Sequence, residues 1–232
     1  MSGKLVLQSR LARLSRLVPQ GSRLADIGTD HGYLPVYLCQ TERISRAIAA
    51  DIGEEPLAHA RRTAEQYGVS ERIDFRLCDG LSGIAPHEAD TIVIAGMGGG
   101  TICSILQNAP WLTAGGHTLL LQPMSKSEEL RPWLVSHGFG IVRETLAEDK
   151  GILYPILTVR FGVKTELTEA EAYAGRWTAE EPLAQQWLAE RRERLLRAAE
   201  GLRCAKNGAG EERAEALRSM AQELEHRREQ LR

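Results

Sequence analysis

The stretch LADIGTDHGYLP, at residues 24–35, decides the fold class of this 232-residue chain. A short apolar run leads into a loop with two glycines, and a helical pattern then begins at Tyr33. A strand, a glycine loop and a helix in this order are typical of the first unit of a doubly wound α/β sheet. Gly28 and Gly32 are separated by three residues, which does not match the GxGxxG pattern of dinucleotide-binding proteins.

Short apolar runs and helical patterns alternate on either side of this stretch, as far as about residue 161. We predict strands near residues 23–28, 45–51, 72–77, 90–95, 117–122, 139–146 and 152–160. We predict helices near residues 33–40, 54–67, 99–108 and 126–137. Because too few residues separate the last two strands for a helical crossover, we expect them to form an antiparallel hairpin at one end of an otherwise parallel sheet.

The composition changes after Gly162, where Glu, Arg, Ala and Leu dominate. Two sets of leucines there repeat every seven residues: Leu188, Leu195 and Leu202, and Leu217, Leu224 and Leu231. The two sets are symmetric about Asn207-Gly208-Ala209-Gly210, a sequence typical of a turn. We therefore predict two domains, residues 1–162 and 163–232, the second an antiparallel coiled-coil hairpin of helices.

Aspartates occur at the ends of the first three predicted strands. Asp26 and Asp30 would repel a pyrophosphate, whereas a phosphate-free cofactor with a ribose and a positive centre fits this loop. Asp51 is placed to accept hydrogen bonds from the two ribose hydroxyls of an adenosine. Asp79 is placed to accept one from the adenine amine. The sequence therefore favours an S-adenosylmethionine site, with a nicotinamide cofactor or another ligand as alternatives.

The predicted cofactor site includes glycines as well as carboxylates, because a glycine allows the backbone to approach a ligand closely. A fourth strand ends in the loop Gly96-Met97-Gly98, which we place opposite the reactive end of the cofactor. The complete predicted set is Asp26, Gly28, Asp30, His31, Gly32, Asp51, Ile52, Asp79, Gly80, Gly96 and Met97.

Six segments resemble, in sequence and order, the bacterial family of tRNA (adenine-N1)-methyltransferases that modify adenine 22: ADIGTDHGYLP, AADI, CDGL, VIAGMGG, LLQPM and EDKGILYPI. The resemblance covers about residues 5–160, and the helical hairpin is similar to that family's carboxyl-terminal domain. It implies a class I methyltransferase fold with a Rossmann-like seven-stranded sheet, S-adenosylmethionine as donor and tRNA as substrate. The chain departs from the family pattern after Gln122-Pro123, where Met124 replaces the expected asparagine.

Methylation at N1 of adenine removes no proton from the nucleophile, so catalysis can rest on positioning and desolvation. The chain also lacks, after the fourth strand, the Asp/Asn-Pro-Pro-aromatic motif that enzymes acting on exocyclic amines often present. We predict that Asp30 accepts a hydrogen bond from the adenine amine as charge develops on the ring. We predict that His31 stacks on the base or moves a proton, with helix capping as its structural alternative.

Residues 1–25 contain five basic side chains and no acidic one. Leu7, Leu11, Leu14 and Val18 follow helical spacing and predict an amphipathic helix, whose arginines are either phosphate contacts or a solvated surface. We predict that two groups of arginines contact tRNA phosphates: Arg10, Arg13 and Arg16, and Arg191, Arg192 and Arg194.

The overall composition excludes several classes of protein. A net charge of -2 excludes a histone-like polycation, and the four cysteines form no CxxC pair, so we predict reduced thiols and no metal site. No run of about 18 apolar residues is present, so we expect a cytoplasmic protein without membrane contact. Nothing in the sequence indicates an obligate protein partner. Alternative functions are methylation of another RNA or a small molecule, nicotinamide-dependent oxidoreduction, and cofactor-regulated RNA binding without catalysis.

Overall fold

The computed structural model describes residues 3–203 and 209–231. It divides into two compact units. The first comprises the chain up to Arg143 together with Ala147–Thr165, and the second comprises Glu144–Leu146 and the chain from Glu166 onward. Three cysteines are free thiols, Cys39 buried and Cys78 and Cys103 half-buried, whereas Cys204 lies outside the described residues.

Seven strands form one sheet: β1 Leu24–Ile27, β2 Ala47–Asp51, β3 Ile73–Leu77, β4 Thr91–Gly98, β5 Thr118–Ser125, β6 Phe139–Asp149 and β7 Ile152–Phe161. Their order is β3-β2-β1-β4-β5-β7-β6. Strands β1 to β5 pair in parallel, and β7 pairs antiparallel with β5. From β1 the chain adds β2 and β3 on one side and then returns to place β4 on the other side of β1. Doubly wound sheets bind ligands at this switch point between β1 and β4.

Helix α1 Ser9–Leu17 precedes the sheet, and four helices follow strands within it: α2 Tyr33–Gln40 after β1, α3 Glu54–Gln66 after β2, α4 Gly99–Gln107 after β4 and α5 Ser127–Ser136 after β5. Short 3-10 helices span Ser70–Arg72 and Pro110–Ala114. Ile92 and Ile94 of β4 belong to one buried apolar cluster and Val93 to another, so both faces of the sheet are covered. The strands and helices predicted from the sequence up to residue 161 are confirmed. Within the described residues, no helix is long and apolar enough to cross a membrane.

The last two strands form the edge hairpin that the short connection predicted. Lys150 and Gly151 join them, with φ values of 51° and 77°. Two successive positive φ values are those of a type I′ turn, whose twist matches the twist of paired strands. The antiparallel pair at one end of the sheet is therefore confirmed.

The described part of the second unit contains three helices: α6 Glu169–Ala174, α7 Ala184–Arg203 and α8 Ala209–Gln230. Helices α7 and α8 are antiparallel, because Gln185 Nε2 donates to the carbonyl of Leu231 and Arg192 pairs with Glu225 seven residues further along α7. The predicted helical hairpin is thus confirmed. Asn207 and Gly208 of the predicted turn lie outside the described residues, whereas Ala209 and Gly210 begin α8.

The leucine pattern predicted six core leucines in the hairpin, but only some of them are fully buried. Leu188, Leu195 and Leu224 are buried, but the other three leucines of the pattern, Leu202, Leu217 and Leu231, are half-buried. Small residues complete the buried face of α8 at Ala214 and Ala221. Helix α6 was not predicted, since its six residues are too few for a periodic pattern.

Glu171 in α6 organises the polar contacts of the second unit. Its side chain completes a capping box with Thr168 and accepts hydrogen bonds from Arg176 and Arg227. These contacts, led by the Arg176 hydrogen bond, lower the pKa of Glu171 to about 2. The backbone N–H of Arg176 also donates to Glu144, which explains why a short part of β6 belongs to this unit.

Candidate active site

A cavity of about 290 Å³ opens at the carboxyl ends of the parallel strands. Its volume is near the lower end of the range for small-molecule sites. Residues from β1 to β4, their following loops and α4 line it: Ile27, Gly28, Asp51, Ile52, Cys78, Asp79, Gly80, Leu81, Met97, Thr101, Ser104, Ile105 and Asn108. Six of the predicted cofactor residues, Gly28, Asp51, Ile52, Asp79, Gly80 and Met97, therefore meet at this cavity.

The loop after β1 requires glycine at position 28. Gly28 has a φ of +71°, and a Cβ atom built there would overlap Met97 Cε. The backbone N–H groups of Gly28 and Thr29 both donate to the carbonyl of Ala50, at 2.8 and 3.0 Å. The loop is thus tied to β2, and its bare backbone at Gly28 forms part of the cavity wall.

Asp51 is held by the backbone on both of its carboxylate oxygens. Oδ1 accepts the N–H of Gly53 at 2.9 Å, and Oδ2 accepts the N–H of Asp30 at 3.3 Å. A carboxylate oxygen can accept more than one hydrogen bond, so both retain capacity toward the cavity. This arrangement suits a pair of neighbouring hydroxyl groups, such as those of a ribose.

The far end of the cavity combines an apolar face with a carboxylate. Ile52 is 72% exposed, which is unusual for a large apolar side chain and leaves its surface available to a flat ligand. Asp79 is exposed at the rim. Gly80 has a φ of +54°, and a Cβ atom there would lie 3.1 Å from Ile105 Cγ2. An adenine ring would fit between such groups, with its amine toward Asp79.

Helix α4 supplies cavity residues that sequence reasoning missed. Thr101, Ser104 and Ile105 of α4 line the cavity together with Asn108, directly after the helix; Ser104 and Ile105 lie three and four residues after Thr101. This spacing places them on one face of a helix. The spacing itself was visible in the sequence, but it could not show which face of the helix would be directed at the strand ends.

Asp26 lies next to the cavity without lining it. The side chain is buried and accepts a hydrogen bond from Thr29 Oγ1 at 2.7 Å. Burial raises the pKa of Asp26 to about 6, although the Thr29 hydrogen bond opposes the shift. A carboxylate in this position supports the loop from beneath, so any effect on a ligand is exerted through the electric field or through the loop.

Asp30, His31 and Gly32 also lie outside the cavity wall. Asp30 is exposed, with a φ of +51°, a conformation that residues other than glycine seldom adopt. The ring of His31 stacks on Tyr33 and on His59, with centroids 5.3 and 4.9 Å apart. Gly32 is buried at a close approach to α3, because a Cβ atom there would lie 2.9 Å from Ala60 Cβ. Asp30 and the stacked rings form a polar and aromatic surface beside the cavity.

His59 was not predicted from the sequence, and it brings a third potential metal ligand near Asp30 and His31. The ligand atoms of the three side chains lie within 4.8 Å of one another. The two imidazole rings, however, are stacked at an interplanar angle of 5°. An imidazole lone pair lies in the plane of its ring, and two stacked, nearly parallel planes do not meet at one ion. In this arrangement the histidines pack on each other and do not converge on a metal.

The segment Gly96-Met97-Gly98, predicted as a loop after the fourth strand, instead forms the end of β4. Strand β4 shifts register against β5 between Ala95 and Met97, so Gly96 lies at a bulge. The N–H of Gly96 donates to the buried side-chain oxygen of Gln122 at 3.2 Å. Arg10 Nη1 donates to the same oxygen. Gly96 therefore supports the cavity wall without lining it, and Gln122, which the sequence marked only as part of the LLQPM segment, holds Gly96 in place.

The predicted phosphate contacts differ in their availability. In α1, Arg16 is exposed, whereas Arg10 and Arg13 are half-buried. In α7, Arg194 is exposed, but Arg191 packs over the ring of Trp187 at 3.9 Å and Arg192 pairs with Glu225 at 3.3 Å. Of the six arginines predicted to contact phosphates, Arg16 and Arg194 are therefore the two with exposed side chains.

Comparison with known proteins assigns the family. A family model described as a methyltransferase domain matches residues 7–157. The tRNA (adenine(22)-N(1))-methyltransferase of Bacillus subtilis strain 168 is 37% identical over 159 residues, 68% of this chain and 67% of that protein. This chain belongs to the tRNA (adenine(22)-N1)-methyltransferase family. The resemblance drawn from its sequence motifs is confirmed.

Solved structures extend this family relationship to nearly the whole chain. The m1A22 tRNA methyltransferase of Bacillus subtilis has a TM-score of 0.83 at 28% identity, over 95% of this chain and 99% of that one. A Streptococcus pneumoniae protein in complex with S-adenosyl-L-methionine has a TM-score of 0.81 at 31% identity, over 94% and 99%. The helical unit of this methyltransferase-family chain therefore has a counterpart in its structural relatives, as the sequence predicted.

Proposed function

We propose that this protein transfers a methyl group from S-adenosylmethionine to N1 of adenine 22 in tRNA. The observation that carries the proposal is the double role of Asp51. Its carboxylate lines the cavity, and its Oδ2 accepts the N–H of Asp30 on the neighbouring exposed surface. One side chain thus joins a nucleoside-sized cavity to a surface suited to a second base, which is the arrangement that transfer between two adenosine-containing molecules requires.

The residues around the cavity fit the proposed donor. The carboxylate of Asp51 accepts hydrogen bonds from both ribose hydroxyls, and that of Asp79 accepts one from the adenine amine. Ile52 packs on the adenine ring. The backbone at Gly28 and the side chain of Met97 form the wall near the other end. The donor supplies an electrophilic methyl group on a positively charged sulfur, and Asp26 and Asp30 provide negative charge near it without a phosphate-binding loop.

On the acceptor side, the protein's main task is to place N1 of the base in line with the methyl group and to exclude water. The exposed carboxylate of Asp30 accepts a hydrogen bond from the adenine amine, which stabilises the positive charge that the ring gains. The stacked rings of His31, Tyr33 and His59 together give the base an aromatic surface. Because N1 carries no proton, this scheme needs no general base.

The tRNA is held outside this site by contacts with its backbone. Flipping a base out of a folded RNA costs a few kcal/mol, which phosphate contacts must offset. Arg16 in the first unit and Arg194 in the second are exposed and are the leading candidates for these contacts. Arg13, on the same helix as Arg16, is a further candidate. We place the protein in the cytoplasm, where its tRNA substrate is found.

A methyl-transfer assay tests the function and the substrate together. The protein is incubated with labelled S-adenosylmethionine and an unmodified tRNA transcript, and the digested RNA is analysed for 1-methyladenosine. A transcript with guanine at position 22 is the matched control. We expect incorporation with the first transcript alone. Equal labelling of both transcripts, methylation at another atom, or binding without transfer would each contradict the proposal and favour one of the alternative functions.

The donor site is tested independently by calorimetry with S-adenosylhomocysteine. Asp51→Asn removes the negative charge and one acceptor, so we expect the affinity to fall by at least about 30-fold, corresponding to about 2 kcal/mol. Asp74→Asn, which changes an exposed carboxylate on β3 paired with Arg76, is the control and should bind normally. Equal affinities in the two variants would show that the cavity is not the donor site.

A further inference from the structure

The guanidinium of Arg10 is directed at the interior of the first unit. Arg10 lies four residues before Leu14, which is fully buried, so the two side chains are on the same face of α1. Its Nη1 donates to Oε1 of Gln122, a side chain with no exposed surface. A charged donor on a buried neutral acceptor makes a stronger hydrogen bond than a neutral pair. This contact occupies a group that the charge pattern of the sequence had assigned to tRNA phosphates.

The amide of Gln122 has a complete and directional set of partners. Its oxygen accepts from Arg10 and from the N–H of Gly96, while its nitrogen donates to the carbonyl of Pro123 at 3.0 Å and lies 3.6 Å from Met124 Sδ. The Arg10 guanidinium and the Gly96 N–H can only donate, so the amide atom that faces them must be the oxygen and not the nitrogen. The Gln122 side chain therefore takes one orientation, and Arg10 reinforces it.

Gln122 in turn holds the bulge that shapes the cavity. At Gly96 the ladder between β4 and β5 is interrupted, and the side chain of Gln122 replaces the missing backbone acceptor. The next residue, Met97, lines the cavity and contacts the space above Gly28. A continuous series of contacts thus runs from Arg10 through Gln122 and Gly96 to the wall at Met97.

We propose that Arg10 is a positioning residue for methyl transfer, which acts through Gln122 on the Gly96-Met97 wall and does not contact a phosphate. This inference rests on the proposed function for its kinetic consequence alone. Loss of Arg10 leaves Gln122 and the bulge less restrained, so Met97 samples positions that widen the cavity. The donor still binds at Asp51 and Asp79, but its methyl group is held less well in line with the acceptor.

Three full-length variants separate positioning from phosphate contact: Arg10→Ala, Arg10→Lys and, as the control on the same helix, Arg16→Ala. We expect Arg10→Ala to lower kcat at least tenfold, with an unchanged KM for tRNA and an unchanged salt dependence of tRNA binding. Arg10→Lys should recover part of the rate, because lysine also donates to the Gln122 oxygen. Arg16→Ala should show the opposite pattern, with a raised KM for tRNA and a salt slope reduced by about 0.7.

A second measurement does not depend on methyl transfer. The chain has four methionines, so the methyl resonance of Met97 can be followed by NMR during titration with S-adenosylhomocysteine. We expect this resonance to be displaced or broadened in Arg10→Ala and normal in Arg16→Ala. In a Gln122→Met background, Arg10→Ala should cause no further change.

The outcomes that overturn the inference are distinct from failure of the proposed function. A wild-type Met97 resonance in Arg10→Ala, or a reduced salt slope with unchanged kcat, would show that Arg10 does not position the wall. If wild-type protein does not methylate tRNA, the proposed function fails, and the Met97 measurement still decides whether Arg10 controls the cavity.

Discussion

Asp26 accepts a 2.7 Å hydrogen bond from the hydroxyl of Thr29 in a position that is 6% exposed. Burial raises the pKa of Asp26 from 3.8 to about 6, and the nearby carboxylate of Asp51 acts in the same direction. The hydrogen bond opposes these effects without cancelling them. A carboxyl group retained beside a cavity under this penalty indicates that its charge has a use there.

The first prediction concerns stability and pH. Between about pH 4 and 6, folded Asp26 binds its proton more tightly than unfolded Asp26, so this group's contribution lowers the free energy of unfolding as pH rises. Ionised Asp26 should cost about 3 kcal/mol at neutral pH. We expect Asp26→Asn to raise the urea midpoint at pH 7.5 and to leave it nearly unchanged at pH 4. An equal loss of stability at both values would contradict this account.

The same variant should distinguish two ligands by their charge. S-adenosylmethionine carries a positive sulfur and S-adenosylhomocysteine a neutral one. If ionised Asp26 acts through its electric field, Asp26→Asn at pH 7.5 should weaken binding of the first more than the second. Calorimetric titration with both ligands measures the difference, and a parallel loss for both would assign Asp26 to loop support alone.

Gly28 should be intolerant of a side chain for two separable reasons. Gly28→Ala places a Cβ on a backbone with φ +71° and drives it into Met97 Cε. Gly68→Ala is the matched control, since Gly68 has a φ of +70° and nothing within 4 Å of its built Cβ. We expect Gly68→Ala to cost about 1–2 kcal/mol from backbone strain. Gly28→Ala should cost a further 1–3 kcal/mol, approximately, from overlap.

Urea unfolding measures both glycine variants, and S-adenosylhomocysteine binding measures the cavity. Gly28→Ala should lose affinity, whereas Gly68→Ala should bind normally. Equal unfolding midpoints and equal affinities in the two variants would show that the contact between position 28 and Met97 is readily relieved.

Two arginines of α7 should have different roles, because one packs on an aromatic ring and the other is exposed. Arg191 lies over Trp187, with its guanidinium carbon 3.9 Å from the ring centroid, a cation–π contact worth about 0.5–2 kcal/mol. We expect Arg191→Ala to reduce stability by that amount, measured by urea unfolding. Arg194→Ala, at an exposed position, should leave stability unchanged and reduce both tRNA affinity and its salt slope. If Arg194→Ala reduced stability and Arg191→Ala reduced tRNA binding, these assignments would be wrong.

The second unit should lose stability in acid through Glu171. The Arg176 and Arg227 contacts lower its pKa to about 2, so this stabilisation is complete above about pH 4.5 and is lost as pH falls toward 2. Glu171→Gln should cost about 1–3 kcal/mol at pH 7. Thermal unfolding of the variant and of the wild type, followed by tryptophan fluorescence, measures the difference. A variant as stable as wild type at pH 7 would exclude this role of Glu171.

The sequence by itself determined the order of strands and helices and several of the residues that line the cavity. Alternation of apolar runs with helical patterns is a local property, and the carboxyl ends of parallel strands necessarily meet at one edge of a sheet. Gly28, Asp51, Asp79 and Gly80 could therefore be predicted to lie together. The family resemblance, carried by segments such as DIGTDHGYLP, came from the same local motifs.

Tertiary structure decided which predicted residues reach the cavity and which only support it. Asp26 and Asp51 both follow apolar runs, but burial beneath the Gly28 loop separates Asp26 from the cavity that Asp51 lines. His59 of α3 stacks on His31 in the loop before α2, a contact that no spacing along the chain reveals. Such differences depend on contacts between residues far apart in sequence.

The clearest case is Arg10, whose charge and spacing match those of Arg13 and Arg16. Local pattern gives a reason to group the three, because all are cations on one short helix. Only the docking of α1 places Arg10 against Gln122, 112 residues away, and leaves Arg16 exposed. Composition and spacing specify which side chains a helix carries, but the direction in which each side chain acts is set by the surface on which the helix packs.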